Sequence, residues 1–238
     1  MGASGAIDPR GIAGGRPPKT DMQAAMSAIL YLLRTGCPWR YLPRDRFPTR
    51  STVYNIVRKF QRDGVWQAIW AELHIALREQ MGREASPSVA VLDSQSVKSA
   101  EEGAAETTRG LRRRQAGEGS KIHALVDSKG LPMQAVVHSA AIQDRDGAGL
   151  VLDSIRRRFP RLELIWADGG YNASQVDVAV AKVPRLRLKI VKPSDAMKGF
   201  VVLPRHWVVE CTFSWFGRNR RLAEDFENLA ETLAPSLP

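Results

Sequence analysis

Apolar residues recur at helical spacing through the first third of the chain and change to short runs and alternation after it. Met22, Met26, Ile29 and Leu33 share one face of a 3.6-residue period. Thr20 followed by Gln23 has the form of a capping box, and Gly36 with Pro38 stops the run, so this stretch predicts an amphipathic first helix. A second period runs from Ser51 through Val53, Ile56, Val57 and Phe60 and is broken at Gly64. A third follows through Trp66, Ile69, Trp70, Leu73 and Leu77. Three helices in this space predict a small all-helical unit of the helix-turn-helix kind. Its middle helix carries Arg58, Lys59 and Arg62 outward and begins at Arg50, Ser51 and Thr52, where hydroxyls and backbone amides can meet phosphate. A helical bundle with a solvated basic face gives the same pattern.

From Ser88 the pattern is that of strands. SVAVLDSQSV, KIHALVD and PMQAVVHSA read as three strands, the last two joined by a Ser-Lys-Gly turn. Asp146 then opens a helix through Phe159, LELIWADGGY reads as a fourth strand, ASQVDVAVAKV as a helix and RLRLKIVK as a fifth strand. Strands followed by helix-strand alternation predict a mixed α/β sheet. The last apolar segment, VVLPRHWVVECTFSWFGRNRRL, reads as a helix from about Arg205 to just before Gly217, with Glu210 on a mostly apolar rod. The expected organisation is a flexible Gly-, Ala- and Pro-rich leader over 1–19, a helical DNA-binding unit over 20–84, an α/β catalytic unit over 85–228 and a truncated tail over 229–238. Ser99 to Ser120, which includes Arg112 to Arg114, has no apolar period and reads as a loop.

Composition narrows the partner. Lys and Arg outnumber Asp and Glu by 35 to 25, a net charge of +10 that favours a polyanion without proving one. Cys37 and Cys211, the two cysteines, have no CxxC or Cys/His spacing, so neither a disulfide framework nor a structural zinc site is suggested. The strongest apolar stretch, around Ala28 to Leu33, falls far short of the roughly 20 residues a membrane span needs. With no signal-peptide pattern at the N-terminus, the expected location is the cytoplasm.

Three carboxylates stand where solvation alone does not explain them: Asp93 inside an apolar strand, Asp168 at the end of another and Glu210 on an apolar helix. Singly, each has a bland role, as a turn cap or a partner for Arg. Asp127, Asp144 and Asp146 read as structural, the first ending a strand at a turn and the others capping the following helix. His123 reads as a packed or phosphate-contacting residue rather than a metal ligand.

The motifs LDSQSVK, KIHALVD, AAIQDRDGA, LIWADGGY, KGFVVLPRHWVVE and TFSWFGRNRRL, in this order, resemble the catalytic domain of bacterial insertion-sequence transposases of the insertion-sequence-five family. GGRPPKTDMQAAMSAILYLLRTGCPWRYLP resembles the helical domain these enzymes carry, so the likeness spans nearly the whole chain. It implies an RNase H-like fold with Asp93 on the first strand, Asp168 just after the fourth and Glu210 on a later helix. It further implies that these three hold Mg²⁺ or Mn²⁺, as two ions, for DNA cleavage at element ends and transfer of a 3′-hydroxyl into target DNA. Double-stranded DNA would be the partner, a homo-oligomer the working form and the bacterial nucleoid the place. Lys121, Arg205, His206, Arg218, Arg220 and Arg221 would join Arg50, Ser51, Arg58 and Lys59 in contacting it.

The chain departs from the family at two places. Arg usually stands four residues before the Glu and directly after it, where His206 and Cys211 stand here, which weakens the expected grip on phosphate. Relatives also continue beyond the stretch matching DFENLAETLA, whereas this sequence ends in PSLP. An impaired, truncated DNA-binding remnant is therefore the alternative to an active transposase. A host nuclease using the same site for hydrolysis alone is a third reading, disfavoured by transposase-like motifs in both halves.

Overall fold

The computed structural model describes residues 20–97, 120–155, 158–191 and 207–223. The expected leader, the Arg112 to Arg114 run, Arg205, His206 and the tail over 229–238 lie outside them. Three helices come first: α1 (Met22–Thr35), α2 (Arg50–Arg62) and α3 (Val65–Gln80). The start of α1 differs from the capping-box expectation by one residue. Asp21, not Thr20, is the N-cap, its carboxylate accepting from the amides of Gln23 at 2.8 Å and Ala24 at 3.2 Å. Gly36 ends the helix in the left-handed conformation (φ 67°) that a residue without Cβ adopts at least cost. Ala28, Ile29, Leu32, Leu42 and Val53 form the core of this helical region.

Five strands follow: β1 (Val89–Val97), β2 (Ser120–Asp127), β3 (Pro132–Ser139), β4 (Leu164–Ala167) and β5 (Arg187–Ile190). They lie in the order β3-β2-β1-β4-β5. β3, β2 and β1 are antiparallel neighbours, while β4 pairs parallel with both β1 and β5. Helices α4 (Asp144–Ile155) and α5 (Ser174–Ala181) are the crossover elements that parallel pairing requires. The fold is thus an RNase H-like mixed sheet with flanking helices and a helical region before it. Helix α4 starts at Asp144, two residues earlier than expected.

Alternation along the strands divides the core in two. Ala90 and Leu92 of β1 and Leu125 of β2 join Val151, Leu152 and Val176 from α4 and α5 on one face. Val91, Val97, Ile122, Ala124 and Val126 face Val208, Val209, Phe213 and Phe216 of α6 (Trp207–Gly217) on the other. Thr212 anchors α6 by donating to the carbonyl of Gly130 at 2.8 Å. A Cβ at Gly130 would meet Thr212 Oγ1 at 3.2 Å and Val208 O at 3.3 Å, so this turn (φ 79°) favours glycine on two counts.

The helical region is fixed to the sheet by buried polar groups. On α3, Trp70 donates to the carbonyl of Pro132 at 3.0 Å, and Arg78 forms a buried ion pair with Asp127 at the end of β2. Asp127 also accepts from the amides of Lys129 and Leu131 at 2.8 and 3.0 Å, so the carboxylate that closes the β2–β3 turn also holds α3. Short helix α7 (Arg220–Ala223) packs against α1 from the other side, with Arg221 donating to the carbonyl of Cys37 at 3.2 Å.

Candidate active site

Parallel pairing of β1 with β4 sets Leu92 opposite Ala167, so Asp93 and Asp168 are the next residues along two adjacent strands. Alternation directs Asp93 to the same side of the sheet as Val91, the side covered by α6, whose first turn carries Glu210. The middle of β1 and the end of β4 thus set Asp93 beside Asp168, while Glu210 lies on the helix that covers this side of the sheet. Asp93 and Asp168 are half-buried and Glu210 is exposed. Among the described residues, no group of three or more His, Cys, Asp or Glu side chains stands close enough to hold an ion. Carboxylates without a cation between them repel, which opposes such closure. All three supply hard oxygen donors, which suits Mg²⁺ or Mn²⁺ and not a thiophilic metal.

Each aspartate is locally organised. Asp93 accepts from the amide of Ser94 at 2.7 Å. Asp168 caps the 3₁₀ turn Gly169–Tyr171, its Oδ1 accepting from the amide of Gly170 at 3.0 Å. The Gly pair after Asp168 thereby supplies both the turn and an uncluttered approach to the carboxylate.

A fourth carboxylate, read from the sequence as a helix cap, joins this region. Asp144 Oδ1 accepts from Ser94 Oγ at 2.6 Å and Lys121 Nζ at 3.0 Å. The point that a Cβ on Gly170 would occupy lies 3.2 Å from Asp168 Oδ1 and 3.4 Å from Asp144 Oδ2. Burial works against ionisation of Asp144, but the hydrogen bonds from Ser94 and Lys121 and the Lys121 charge outweigh it and hold the carboxyl below its usual range. Lys121, Gln143, Asp144, Arg145 and Gly170 line an open cavity of about 260 Å³ here.

Beneath lies a buried polar stack. Ser94 pairs with His123 across β1 and β2. The buried Tyr171 hydroxyl shares a hydrogen bond of 2.8 Å with His123 Nδ1. Burial, then the neighbouring imidazole of His138, push His123 down to about 4. The ring is neutral and packed, not a phosphate contact. Burial, then the charge of Asp93, push the Tyr171 hydroxyl well up, and Asp144 and Asp168 act in the same direction.

The predicted DNA contacts divide into two groups. Arg50, Ser51, Arg58 and Lys59 on α2 are exposed, as are Arg218 and Arg220. Ser51 Oγ lies 3.1 Å from the Thr49 hydroxyl. Lys121 is mostly buried and paired to Asp144. Arg221 is buried, bonded to Cys37 and lying 5.6 Å from the Trp39 ring centroid, so its guanidinium joins α7 to the helical region.

An RNase H-like sheet with one aspartate within its first strand and another just after its fourth is the frame of a DDE transposase domain. The chain belongs to the transposase DDE domain family, whose model matches residues 84–233, and a model for transposases of the IS4/5 family matches residues 6–70. Domains of this family generally use divalent metal ions. No curated protein matches the chain. Among solved structures, it is similar to a chain of the simian T-cell lymphotropic virus intasome in complex with PP2A regulatory subunit B56 gamma: 15% identity, TM-score 0.38, covering 63% of this chain and 46% of that one. It is also similar to the Mos1 transposase paired-end complex with left transposon end, at 12% identity and TM-score 0.30 over 97% of this chain and 84% of that one. The Mos1 mariner paired-end complex with Mn gives 14% identity and TM-score 0.28, over 78% and 63%. The chain therefore spans about half the length of the intasome chain it matches.

Proposed function

We propose that this transposase cleaves DNA at insertion-sequence ends and joins the resulting 3′-hydroxyl to target DNA, with Asp93, Asp168 and Glu210 as its catalytic carboxylates. The observation that supports this most is the register of β1 and β4, which sets Asp93 beside Asp168 on a sheet flanked by the Glu210 helix. These three side chains would hold Mg²⁺ or Mn²⁺, as two ions, and the bound ions supply Lewis acidity toward the phosphodiester oxygens. The chain's own part is positional. The Ser94 amide orients Asp93, the Gly170 amide orients Asp168, and the glycine pair admits the DNA backbone. In cleavage a water oxygen bonds to phosphorus, the P–O bond to the 3′ oxygen breaks, and that oxygen leaves with a proton. In joining, the freed 3′-hydroxyl is the nucleophile and a target-strand oxygen leaves.

Duplex DNA is the partner that the exposed Arg50, Arg58, Lys59, Arg218 and Arg220 suit, through phosphate contacts. Ser51, at the start of α2, and Arg205 and His206, next to the Glu210 helix, are proposed as further contacts. Joining two element ends calls for at least two copies, working at the nucleoid in the cytoplasm. No described helix is long and apolar enough to cross a membrane. The test is Mg²⁺- or Mn²⁺-dependent cleavage and joining of a labelled element-end duplex by the chain and by Asp93→Asn, Asp168→Asn and Glu210→Gln. Activity abolished by each substitution is expected. Metal-independent binding without cleavage in the unsubstituted chain would overturn this reading and leave a DNA-binding remnant, the alternative that His206 and Cys211 favour.

A further inference from the structure

We infer that the cavity beside Asp168 is a phosphate-binding site for the DNA strand next to its reacting phosphodiester, with Arg145 as the main contact; this rests on the transposase reading above. The lining carries two cations, Lys121 and Arg145, against the single carboxylate of Asp144. Asp144 is already matched, because its Oδ1 accepts from both the Ser94 hydroxyl and the Lys121 ammonium. The second cation is left over. Arg145 is exposed and pairs with no described residue, so the cavity keeps a positive charge that suits an anion.

The donors converge from two parts of the fold. Lys121 Nζ, on β2, uses two of its three hydrogens on Asp144 Oδ1 and the Ile142 carbonyl, at 3.0 and 3.2 Å, which leaves one for a ligand. Gln143 is pinned by its carbonyl, which accepts from the amides of Asp146 and Gly147 at 3.0 and 3.1 Å, and it lines the same cavity. Arg145 adds the planar fork that meets a phosphate through two parallel hydrogen bonds. Gly170 is the wall on the side of the catalytic aspartates: a Cβ there would lie 3.2 Å from Asp168 Oδ1, so without one the cavity adjoins Asp168 directly. Successive phosphates of one strand are about 3.4 Å apart along the duplex axis, so a strand reacting at Asp168 carries a neighbouring phosphate over this cavity.

The experiment is a binding scan of the full chain by fluorescence anisotropy. Each labelled element-end duplex carries one neutral methylphosphonate at a chosen position around the cleavage junction, and Mg²⁺-dependent cleavage of the unmodified duplex is run alongside. Arg145→Gln is expected to weaken binding of the unmodified duplex about tenfold and to lower the slope of log Kd against log salt by about 1, with an unchanged melting temperature. One methylphosphonate beside the junction should weaken the unsubstituted chain to the same extent and Arg145→Gln not at all, because both changes remove the same pair. Arg145→Lys should restore the salt slope but not the full affinity, since it returns the charge without the fork. Wild-type affinity in Arg145→Gln, or a methylphosphonate profile that the substitution leaves unchanged, would overturn the phosphate site; cleavage by the unsubstituted chain would leave the transposase reading standing. Absence of both binding and cleavage by the unsubstituted chain would overturn both.

Discussion

The two ends of β2 carry aspartate-cation pairs that differ in completeness. At one end Asp127 is fully buried, and its oxygens are engaged by Arg78 and two turn amides. At the other, Lys121 holds one oxygen of Asp144 while the second faces an open cavity beside Asp168. The first arrangement locks α3 to the sheet. The second leaves one carboxylate oxygen without a donor among the described residues, so this end of the strand is held less tightly. A carboxylate's neighbours, more than its identity or strand position, separate a fastening from a site.

The largest effect should expose that difference. Arg78→Ala strands a buried Asp127 carboxylate and should cost about 3–5 kcal/mol of unfolding free energy, read by urea denaturation. Lys121→Ala, at a partly exposed pair, should cost less than about 1 kcal/mol. Equal losses would mean that the two ends are alike and that Lys121 is as structural as Arg78.

A second prediction uses the buried histidines, His74 beside Asp127 and His123 beneath Asp144. Both are held below the usual histidine range by burial. At His74 the charge of Asp127 opposes the burial effect most strongly, whereas at His123 the next influence, His138, adds to it. A base whose folded pKa is depressed binds protons more readily when unfolded, so stability is complete above about 6.5 and falls as pH drops toward about 4. The loss attributable to His123 should be on the order of 2–3 kcal/mol across that window. Denaturation midpoints between pH 7 and pH 4.5 should flatten more in His123→Gln than in His74→Gln. The reverse order would show that the Asp127 end dominates the acid response.

Much of this was legible from spacing. The apolar runs that contain Asp93 and end in Asp168 became strands because alternation and run length are properties of the local sequence, and Gly36 and Gly64 marked helix ends for the same reason. Local signals were less exact between neighbours: Asp21 took the cap assigned to Thr20, and α4 began at Asp144 rather than Asp146. What the sequence hid was cross-chain. Nothing near Asp144 announces that Ser94 and Lys121, on two other strands, will meet its carboxylate, and nothing near Asp127 announces Arg78. The basic tract RNRRL likewise reads as a uniform cationic surface, yet Arg221 turns inward to Cys37 and Trp39 while Arg218 and Arg220 stay exposed. Pairings of this kind depend on the sheet order, which periodicity does not encode.

The smallest expected effects concern two glycines that hold space for opposite reasons. A Cβ at Gly147 would lie 2.3 Å from His123 Nε2 and 2.7 Å from His138 Nε2, inside a packed region where both rings are buried. Neither nitrogen has a hydrogen-bond partner among the described residues, so the glycine backbone is what fills that space. Gly147→Ala must displace an imidazole and should cost about 1–3 kcal/mol of stability. At Gly170 the added methyl meets only carboxylate oxygens, at 3.2 and 3.4 Å, beside an open cavity. Gly170→Ala should therefore change stability by less than about 1 kcal/mol. Thermal melts of the two variants separate the cases. Equal losses at the two glycines would show that the space beside Gly170 is as tightly packed as the space beside Gly147.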